Sequence, residues 1–191
     1  TRRSSDLHSL LGLVTLILTG CGQKKEEKAK GNKEDITTNL PIINNAEQQE
    51  IITKKLVFPK DEKGSQSSQT ITYQGKRFLT VVMEKIVPTE GELKEAIKEV
   101  GIEQAQKYLD ESVAKDEEYA QAKTVSGFTS SVVIANEDEL NITSTYDFEK
   151  LDIEKASSMS YFKNVDLKGM EKMSPEEYIN NLLMNGAEEQ Q

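Results

Sequence analysis

The chain has few of the side chains that stabilise small secreted domains. It contains one cysteine, Cys21, one histidine, His8, and no tryptophan. A single cysteine excludes an intramolecular disulfide, and one cysteine with one histidine cannot supply the ligands of a structural zinc ion. The fold must therefore be held by the packing of Ile, Leu and Val side chains with a few Phe and Tyr.

The same shortage limits the catalytic chemistry that is open to the chain. Histidine is the commonest general base, and a cysteine thiolate is a strong nucleophile. The sequence has no Gly-x-Ser-x-Gly turn to expose a serine nucleophile, and its glycines are isolated rather than grouped into a phosphate-binding loop. We therefore predict no catalytic residue, no cofactor-binding residue and no metal ligand, and we expect that the protein is not an enzyme.

Acidic side chains outnumber basic ones, and the formal net charge is −9. A protein that binds nucleic acid needs basic surface to neutralise phosphates, so we expect no nucleic-acid partner. Acidic pairs are frequent in such a chain and point to no site by themselves. Even the acidic stretch Asn136-Glu137-Asp138-Glu139 has its acids side by side and no glycine, which predicts a hairpin turn rather than a calcium loop.

The N-terminal region has the pattern of a secretory signal peptide. Arg2 and Arg3 precede an apolar run, Leu7–Leu18, and the small residues Thr19 and Gly20 follow it. The run is shorter than the roughly 20 apolar residues that span a bilayer. Because the next residue is Cys21, the stretch resembles a bacterial lipobox.

The lipobox resemblance implies how the chain is processed and where it is located. Residues 1–20 would be the signal peptide, cleaved between Gly20 and Cys21, and Cys21 would carry a diacylglyceryl group with chains such as palmitate. Two acyl chains hold a protein stably on a membrane, whereas one does so only marginally. We therefore predict lipid attachment at Cys21, membrane lipid as a partner through that acylated residue, and a location on the outward, extracytoplasmic side of the cell membrane.

The rest of the chain divides by composition into a polar tether, one domain and a short tail. Residues 21–50 are mostly polar and charged, and we interpret them as a tether between membrane and domain. Residues 51–187 carry the apolar periodicity of a folded domain, and residues 188–191 form a C-terminal tail. The fold predicted for the domain is α+β, an antiparallel β-sheet packed against one or more amphipathic helices in a single domain.

Strands are predicted where apolar residues alternate between turn signals. The Gln74-Gly75 pair separates two such runs and predicts a hairpin. In the second run, we expect Phe78, Val82 and Ile86 on one face of the sheet. The other face would then carry Leu79, Val81, Met83 and Val87. The predicted strand segments are Ile51–Phe58, Thr70–Tyr73, Lys76–Val87, one from about Phe128, and one that carries Leu140, Ile142, Tyr146 and Phe148.

Helices are predicted from apolar spacing of three and four residues and from capping residues. Thr89 is the expected N-cap of a helix whose apolar face carries Leu93, Ile97 and Val100, followed by a break at Gly101 and a second helical run. That second run places Ala105, Tyr108, Leu109 and Val113 on one face. Ser174 and Pro175 predict another helix start, and Leu151–Met159 is ambiguous. We expect Leu140, Ile142, Tyr146 and Phe148 to pack against Leu93, Ile97 and Leu109.

This order of elements, with two local motifs, resembles the YehR-like family of small bacterial lipoproteins. The motifs are Tyr73-Gln74-Gly75-Lys76 at the first hairpin and the run from Tyr146 to Asp152 after the last long strand. The similarity extends from about Ile51 to Gly186. The resemblance implies an α+β domain and brings no activity with it, because the family is largely uncharacterised.

Taken together, these features favour a membrane-anchored extracytoplasmic lipoprotein with a non-enzymatic binding or envelope role. Its ligand would be a protein, a peptide or another envelope component. Two alternatives stay open: an enzyme that acts on cell-envelope material with carboxylates alone, and a purely structural or stress-related envelope protein. A deep pocket with convergent carboxylates would favour the enzyme, whereas a flat or grooved sheet face would favour the binding protein.

Overall fold

A computed structural model of the protein describes residues 49–190. The predicted signal peptide, its cleavage site at Gly20 and Cys21, and nearly all of the tether lie outside the described residues. The strands are β1 (Ile51–Val57), β2 (Gln66–Gln74), β3 (Arg77–Pro88), β4 (Phe128–Asn136), β5 (Glu139–Asp147) and β6 (Glu188–Gln190). The α-helices are α1 (Gly91–Ala114), α2 (Glu117–Ala122), α3 (Ile153–Ser157), α4 (Leu167–Lys172) and α5 (Pro175–Met184).

The strands form one six-stranded sheet in the order β4-β5-β3-β2-β1-β6. Every neighbouring pair is antiparallel. Helices cover the sheet on one side, so the predicted α+β fold in a single domain is confirmed. Alternation of buried and half-buried residues along β5 shows why the strand forms, since successive side chains point to opposite faces.

The hairpin predicted near Gly75 joins β2 to β3, with a turn one residue later than expected. Gly75 and Lys76 form the connection, and Gly75 has a φ of +57°. The side chain of Gln49 lies against this glycine, so close that a Cβ atom there would overlap its Oε1 atom. The positive φ favours glycine here, while the Gln49 side chain is flexible at its end and could move aside.

The predicted division of β3 between the two faces is wrong at its beginning. Phe78 is buried together with Val81, Met83 and Val87, whereas Val82 lies on the opposite face. The register with β2 shifts where Thr72 pairs with Thr80 and Tyr73 pairs with Phe78, which leaves Leu79 as an extra residue. Such a bulge reverses the alternation, and period-two counting along the sequence cannot detect it.

The core forms two clusters on the covered face of the sheet. The larger cluster lies under α2 and the C-terminal helices, and the smaller one under α1. Large side chains from the strands and helices, such as Phe162 and Ile71, are almost fully enclosed in the larger cluster. The smaller cluster consists of Val87, Leu93, Ile97, Ala105, Leu109, Ile134, Leu140 and Ile142.

Helix α1 follows the predicted break but differs from the prediction at its start. Its N-cap is Glu90, which makes no side-chain capping bond, while the buried Thr89 donates its hydroxyl proton to the C=O of Glu137. Gly101, with a φ of +79°, interrupts the helix as expected. Val100 and Tyr108 are 40% and 50% exposed, so the prediction that they share the buried faces of their helical runs is wrong.

The C-terminal helices begin at capping residues that the sequence displays. The Ser174 hydroxyl accepts a 3.2 Å hydrogen bond from the N–H of Glu177, and Pro175 occupies the first turn, as predicted. The ambiguous Leu151–Met159 stretch contains α3, which is capped by Asp152. A carboxylate at an N-cap accepts an otherwise unpaired N–H and interacts favourably with the helix dipole.

The predicted inward set on β5 is divided between the two clusters. Leu140 and Ile142 contact the α1 residues as expected, whereas Tyr146 belongs to the larger cluster. Phe148 is only half-buried, and its ring stacks on Phe78 with the centroids 5.3 Å apart. The pairing of these residues with α1 is therefore correct for the first two and wrong for the last two, because α1 covers only one end of the sheet.

The chain end also differs from its predicted role as a tail. Glu188–Gln190 form β6, which pairs with Lys55–Val57 of β1. A side-chain ion pair of 3.0 Å between Lys54 and Glu189 accompanies this pairing. Three polar residues carry no strand signal of their own, so only the neighbouring edge of β1 makes them a strand.

No helix within residues 49–190 is both long enough and apolar enough to cross a membrane.

Candidate functional site

One face of the sheet carries no helix in the described part of the chain, and we call it the open face. Its residues are half-buried or exposed, in contrast to the buried residues that alternate with them. Many of them carry hydroxyl groups: Thr53, Ser68, Thr70, Thr72, Thr80, Thr129, Ser131, Thr143 and Thr145. Threonine suits this position because its branched Cβ favours strands while its hydroxyl can remain hydrated.

A depression of about 200 Å³ lies in the open face. Strands β1, β2, β3, β5 and β6 all contribute to its lining, which includes charged, amide, hydroxyl and aliphatic groups. A volume of this size is below the ~300–1,000 Å³ of usual small-molecule pockets. The depression can therefore hold one side chain or a small polar group of a larger ligand.

The charged part of the depression is built around Glu84. Lys55 Nζ lies 3.1 Å from Glu84 Oε2, and Ser68 Oγ donates a 3.2 Å hydrogen bond to the same oxygen. The register explains this meeting, since Ser68 pairs directly with Glu84 and lies one strand away from Lys55. The side chains of Lys55 and Glu84 are 43% and 40% exposed, so water and incoming ligands can reach both charges.

The rest of the lining offers hydrogen-bonding and apolar contacts. Asn141 Oδ1 is enclosed and has no hydrogen-bond partner among the described residues, while the Thr143 side chain lies on the same strand two residues later. Val57 and Ile86 add aliphatic surface. The enclosed amide oxygen is shielded from solvent, so the groups that a ligand can reach are the hydroxyl, aliphatic and charged side chains around it.

The depression is poorly equipped for acid–base chemistry. Among the described residues, Glu84 is the single carboxylate in its lining, and Lys55 and Ser68 already bind it. No group of three or more His, Cys, Asp and Glu side chains that could hold a metal ion occurs within residues 49–190. This arrangement can bind an amide, a hydroxyl or a charged group, and within the part of the chain that the structure describes it has no second carboxylate for proton transfer.

Aromatic rings lie away from the open face. The ring pairs of the larger cluster are all on the covered face or its border, where Phe128, Tyr146, Tyr161 and Phe162 contact one another. Burial raises the pKa of the Tyr146 hydroxyl far above its ordinary value. Sugars and bases usually stack on exposed aromatic rings, so the lining of this depression does not suit either ligand.

The acidic turn near Asp138 has structural partners. Asp138 N–H donates a 2.9 Å hydrogen bond to Asn136 Oδ1, and Lys94 Nζ lies 2.9 Å from Asp138 Oδ1. The hydrogen bond from Lys94, together with its charge, lowers the pKa of Asp138, and the same contact raises the pKa of Lys94. The turn joins β4 to β5 as predicted, and it fastens that hairpin to the first turn of α1.

The depression was not predicted from the sequence. Its residues come from five strands, and each one taken alone resembles an ordinary solvent-facing strand residue. A weak signal existed in the polar residues that alternate with apolar ones along β2 and β5. That alternation identifies an open face, but only the register brings Lys55, Ser68 and Glu84 together.

Comparisons with known proteins place this fold in a family. A protein-family model for YehR-like proteins matches residues 51–182. An NMR structure of a protein from Streptococcus pneumoniae TIGR4 is similar with a TM-score of 0.68 and 39% identity, over 86% of this chain and 100% of that one. The NMR structure of the Escherichia coli YehR protein gives a TM-score of 0.49 and 20% identity, over 74% of this chain and 92% of that one.

No curated protein matches the chain. The family match begins at the first residue of β1 and ends within α5, so it spans the sheet except β6 and all the helices in between. It covers more than half of the sequence and agrees with the resemblance carried by the two hairpin and strand-end motifs. The chain belongs to the YehR-like family.

Proposed function

We propose that this protein is a lipid-anchored extracytoplasmic lipoprotein that binds a protein, a peptide or another envelope component through the open face of its sheet, without catalysis. The observation that supports binding is the depression in that face. It presents the exposed Lys55–Glu84 pair to incoming ligands, with amide, hydroxyl and aliphatic side chains around it. The anchor is supported by the Leu18-Thr19-Gly20-Cys21 sequence after a short apolar run.

The chemistry of the lining supports binding over an enzyme that works with carboxylates. Such an enzyme needs two carboxyl groups across the substrate, one to donate and one to accept a proton or attack. The described lining of the depression offers one carboxylate, Glu84, which is bound by a lysine and a hydroxyl. Amide, hydroxyl and charged groups in a shallow hollow fit a ligand whose larger part lies outside it, such as a protein or peptide.

Site-specific crosslinking in cells tests this proposal. A photoreactive amino acid is placed at Thr143, in the depression, and in a separate variant at Lys107, which lies on α1. We expect the first variant to give a discrete crosslinked species that disappears when Glu84→Gln and Ser68→Ala are added, and the second to give none. Identical products from both positions, or no product from Thr143, would overturn the assignment of the open face.

A separate measurement tests the alternative hypothesis, an enzyme that acts on cell-envelope material with carboxylates alone. The purified chain is incubated with isolated cell-wall material, and the soluble fragments are quantified against a sample without protein. We expect no difference between the two samples. Fragment release that is lost in the Glu84→Gln variant would replace the binding proposal with the carboxylate enzyme.

A further inference from the structure

The two edges of the sheet are protected to different extents. The outer strands are β4 and β6, but β6 covers only Lys55–Val57 of β1. Beside the earlier part of β1, at Ile51–Lys54, the described chain has no strand. Exposed strand edges pair readily with other chains, so proteins usually block them.

Along β4, the N–H and C=O groups of successive residues point alternately toward β5 and away from the sheet. The N–H of Asp147 donates a 2.7 Å hydrogen bond to the C=O of Gly127, which continues the β4–β5 ladder by one residue. Residues at odd positions of β4 therefore turn their N–H and C=O groups toward β5. Those at even positions, Ser130, Val132 and Ile134, turn these groups outward.

Side chains from two helices close this edge of β4. Gln106 Nε2 donates a 3.0 Å hydrogen bond to the C=O of Val132, and its Oε1 accepts a 2.7 Å bond from the N–H of Ile134. A residue of an added parallel strand would make these same two bonds. The Tyr119 hydroxyl donates a 2.9 Å bond to the C=O of Ser130, so this edge is blocked against strand addition.

Within residues 49–190, no side chain covers the edge of β1 in this way. Phe58 N–H donates a 2.9 Å hydrogen bond to the C=O of Ser67, which places even-numbered residues of β1 toward β2. Ile51 and Thr53 therefore turn their N–H and C=O groups away from the sheet. The side chains of Ile51 and Ile52 are 58% and 38% exposed at the same place.

We propose that the edge of β1 at Ile51–Thr53 binds an extended peptide segment of a partner protein by strand addition. The outward N–H and C=O groups of Ile51 and Thr53 are spaced as in a β-strand. An extended peptide backbone carries complementary donors and acceptors at the same spacing. β6 already pairs antiparallel with the next part of the same edge. A peptide in line with β6 would begin beyond Gln190, which pairs with Lys55, and would place a β-branched residue opposite Ile52.

This inference goes beyond the proposed function, because it uses main-chain groups at an edge rather than side chains of the depression. Either surface can fail its test while the other passes. A variant in the depression, Glu84→Gln, should leave peptide binding at the edge unchanged. It therefore serves as a control that separates the two surfaces.

The probe is a fluorescent peptide, Lys-Thr-Val-Thr-Val-Thr, titrated with the full chain in detergent and followed by anisotropy. Thr53→Pro removes the outward N–H and leaves the bonds of its neighbours to β2 intact, since proline is tolerated where the N–H faces outward. Thr53→Ala keeps the N–H and is the matched control. We expect Thr53→Pro to weaken binding by about tenfold or more, and Thr53→Ala by less than about twofold.

Two N-methylated versions of the probe complete the test, each methylated on one of the two alternate sets of amides. Only one set faces β1 in a strand pair, so one peptide should lose binding and the other should keep it. Thermal unfolding of each variant checks that it is folded. Equal binding by the proline and alanine variants, equal effects of both methylation patterns, or no binding of the unmodified probe to the native chain would overturn the proposal.

Discussion

The hydroxyl of Tyr178 donates a 2.7 Å hydrogen bond to the side-chain oxygen of Gln69, 109 positions earlier in the chain. Gln69 lies on β2 and is 1% exposed, while Tyr178 lies on α5. The ring of Tyr178 also meets Phe78 edge-on at 5.7 Å between centroids. The bond thus joins the C-terminal helix to the middle of the sheet and satisfies a polar group that is deeply buried.

Replacing Tyr178 with Phe should reduce the free energy of unfolding by about 1–3 kcal/mol. The change removes only the hydroxyl and takes its donor away from the buried oxygen of Gln69. Urea denaturation of the two proteins measures the difference. Tyr108→Phe is the control, because that side chain is 50% exposed, and it should change stability by less than about 0.5 kcal/mol. Equal losses would show that the buried bond contributes nothing.

Phe162→Ala should be among the most destabilising substitutions in the larger cluster. The side chain is 1% exposed, and its ring lies 4.8 Å from that of Phe128 in an edge-to-face arrangement. Truncating a buried phenylalanine costs about 3–5 kcal/mol, a large part of a typical stability of 5–15 kcal/mol. Thr145→Ala, on the open face, should cost less than about 1 kcal/mol. If chemical denaturation gave similar losses for both, the assignment of the two faces would be wrong.

The closed edge of β4 predicts an effect on hydrogen exchange. Gln106→Ala removes the acceptor of the Ile134 N–H and the donor to Val132. The amide of Ile134 should then exchange faster by at least about tenfold, and stability should fall by about 1–2 kcal/mol. Gln104→Ala on the same helix is the matched control. An unchanged exchange rate at Ile134 in the first variant would contradict the closing role of Gln106.

The contact between Lys94 and Asp138 predicts a pH dependence. The carboxyl pKa of Asp138 is lowered mainly by the hydrogen bond from Lys94, so Lys94→Met should raise it toward its ordinary value. A carboxyl pKa that is lower in the folded state stabilises the fold above the pKa of the unfolded chain, and this contribution is lost as the pH falls through the folded-state value. NMR titration of the Asp138 carboxyl measures the shift. Asp147, whose pKa is lowered mainly by its hydrogen bond from Lys150, should titrate identically in both proteins.

The lipobox predicts a specific mass at the N-terminus. Expression in a host that processes lipoproteins should yield a chain that begins at Cys21 and carries a diacylglyceryl group. Cys21→Ser should leave the chain uncleaved, because the acceptor thiol is missing. Mass spectrometry of the N-terminal peptide decides the matter, and an unmodified Cys21 that is still preceded by Gly20 would refute lipid attachment.

Local signals in the sequence determined most of the elements. Alternating apolar residues identified β5, the Ser174-Pro175 pair identified the start of α5, and the turn at Gly75 identified the first hairpin. These signals act within a few residues, where side-chain direction and backbone preference are fixed by the neighbours. The prediction that Thr89 is the N-cap of α1 was wrong. The Thr89 hydroxyl bonds to the turn after β4 rather than to a main-chain N–H of α1.

What the sequence alone determined is therefore the class of fold and the faces of those elements whose alternation is regular, while lipid attachment at Cys21 stays a prediction. Only the tertiary structure decided that Leu79 bulges, that α1 covers one end of the sheet, and that Glu188–Gln190 become an edge strand. It also decided that Lys55, Ser68 and Glu84 meet in one depression. The physical reason is that register and helix placement depend on contacts between distant segments, and no local pattern in the chain specifies those contacts.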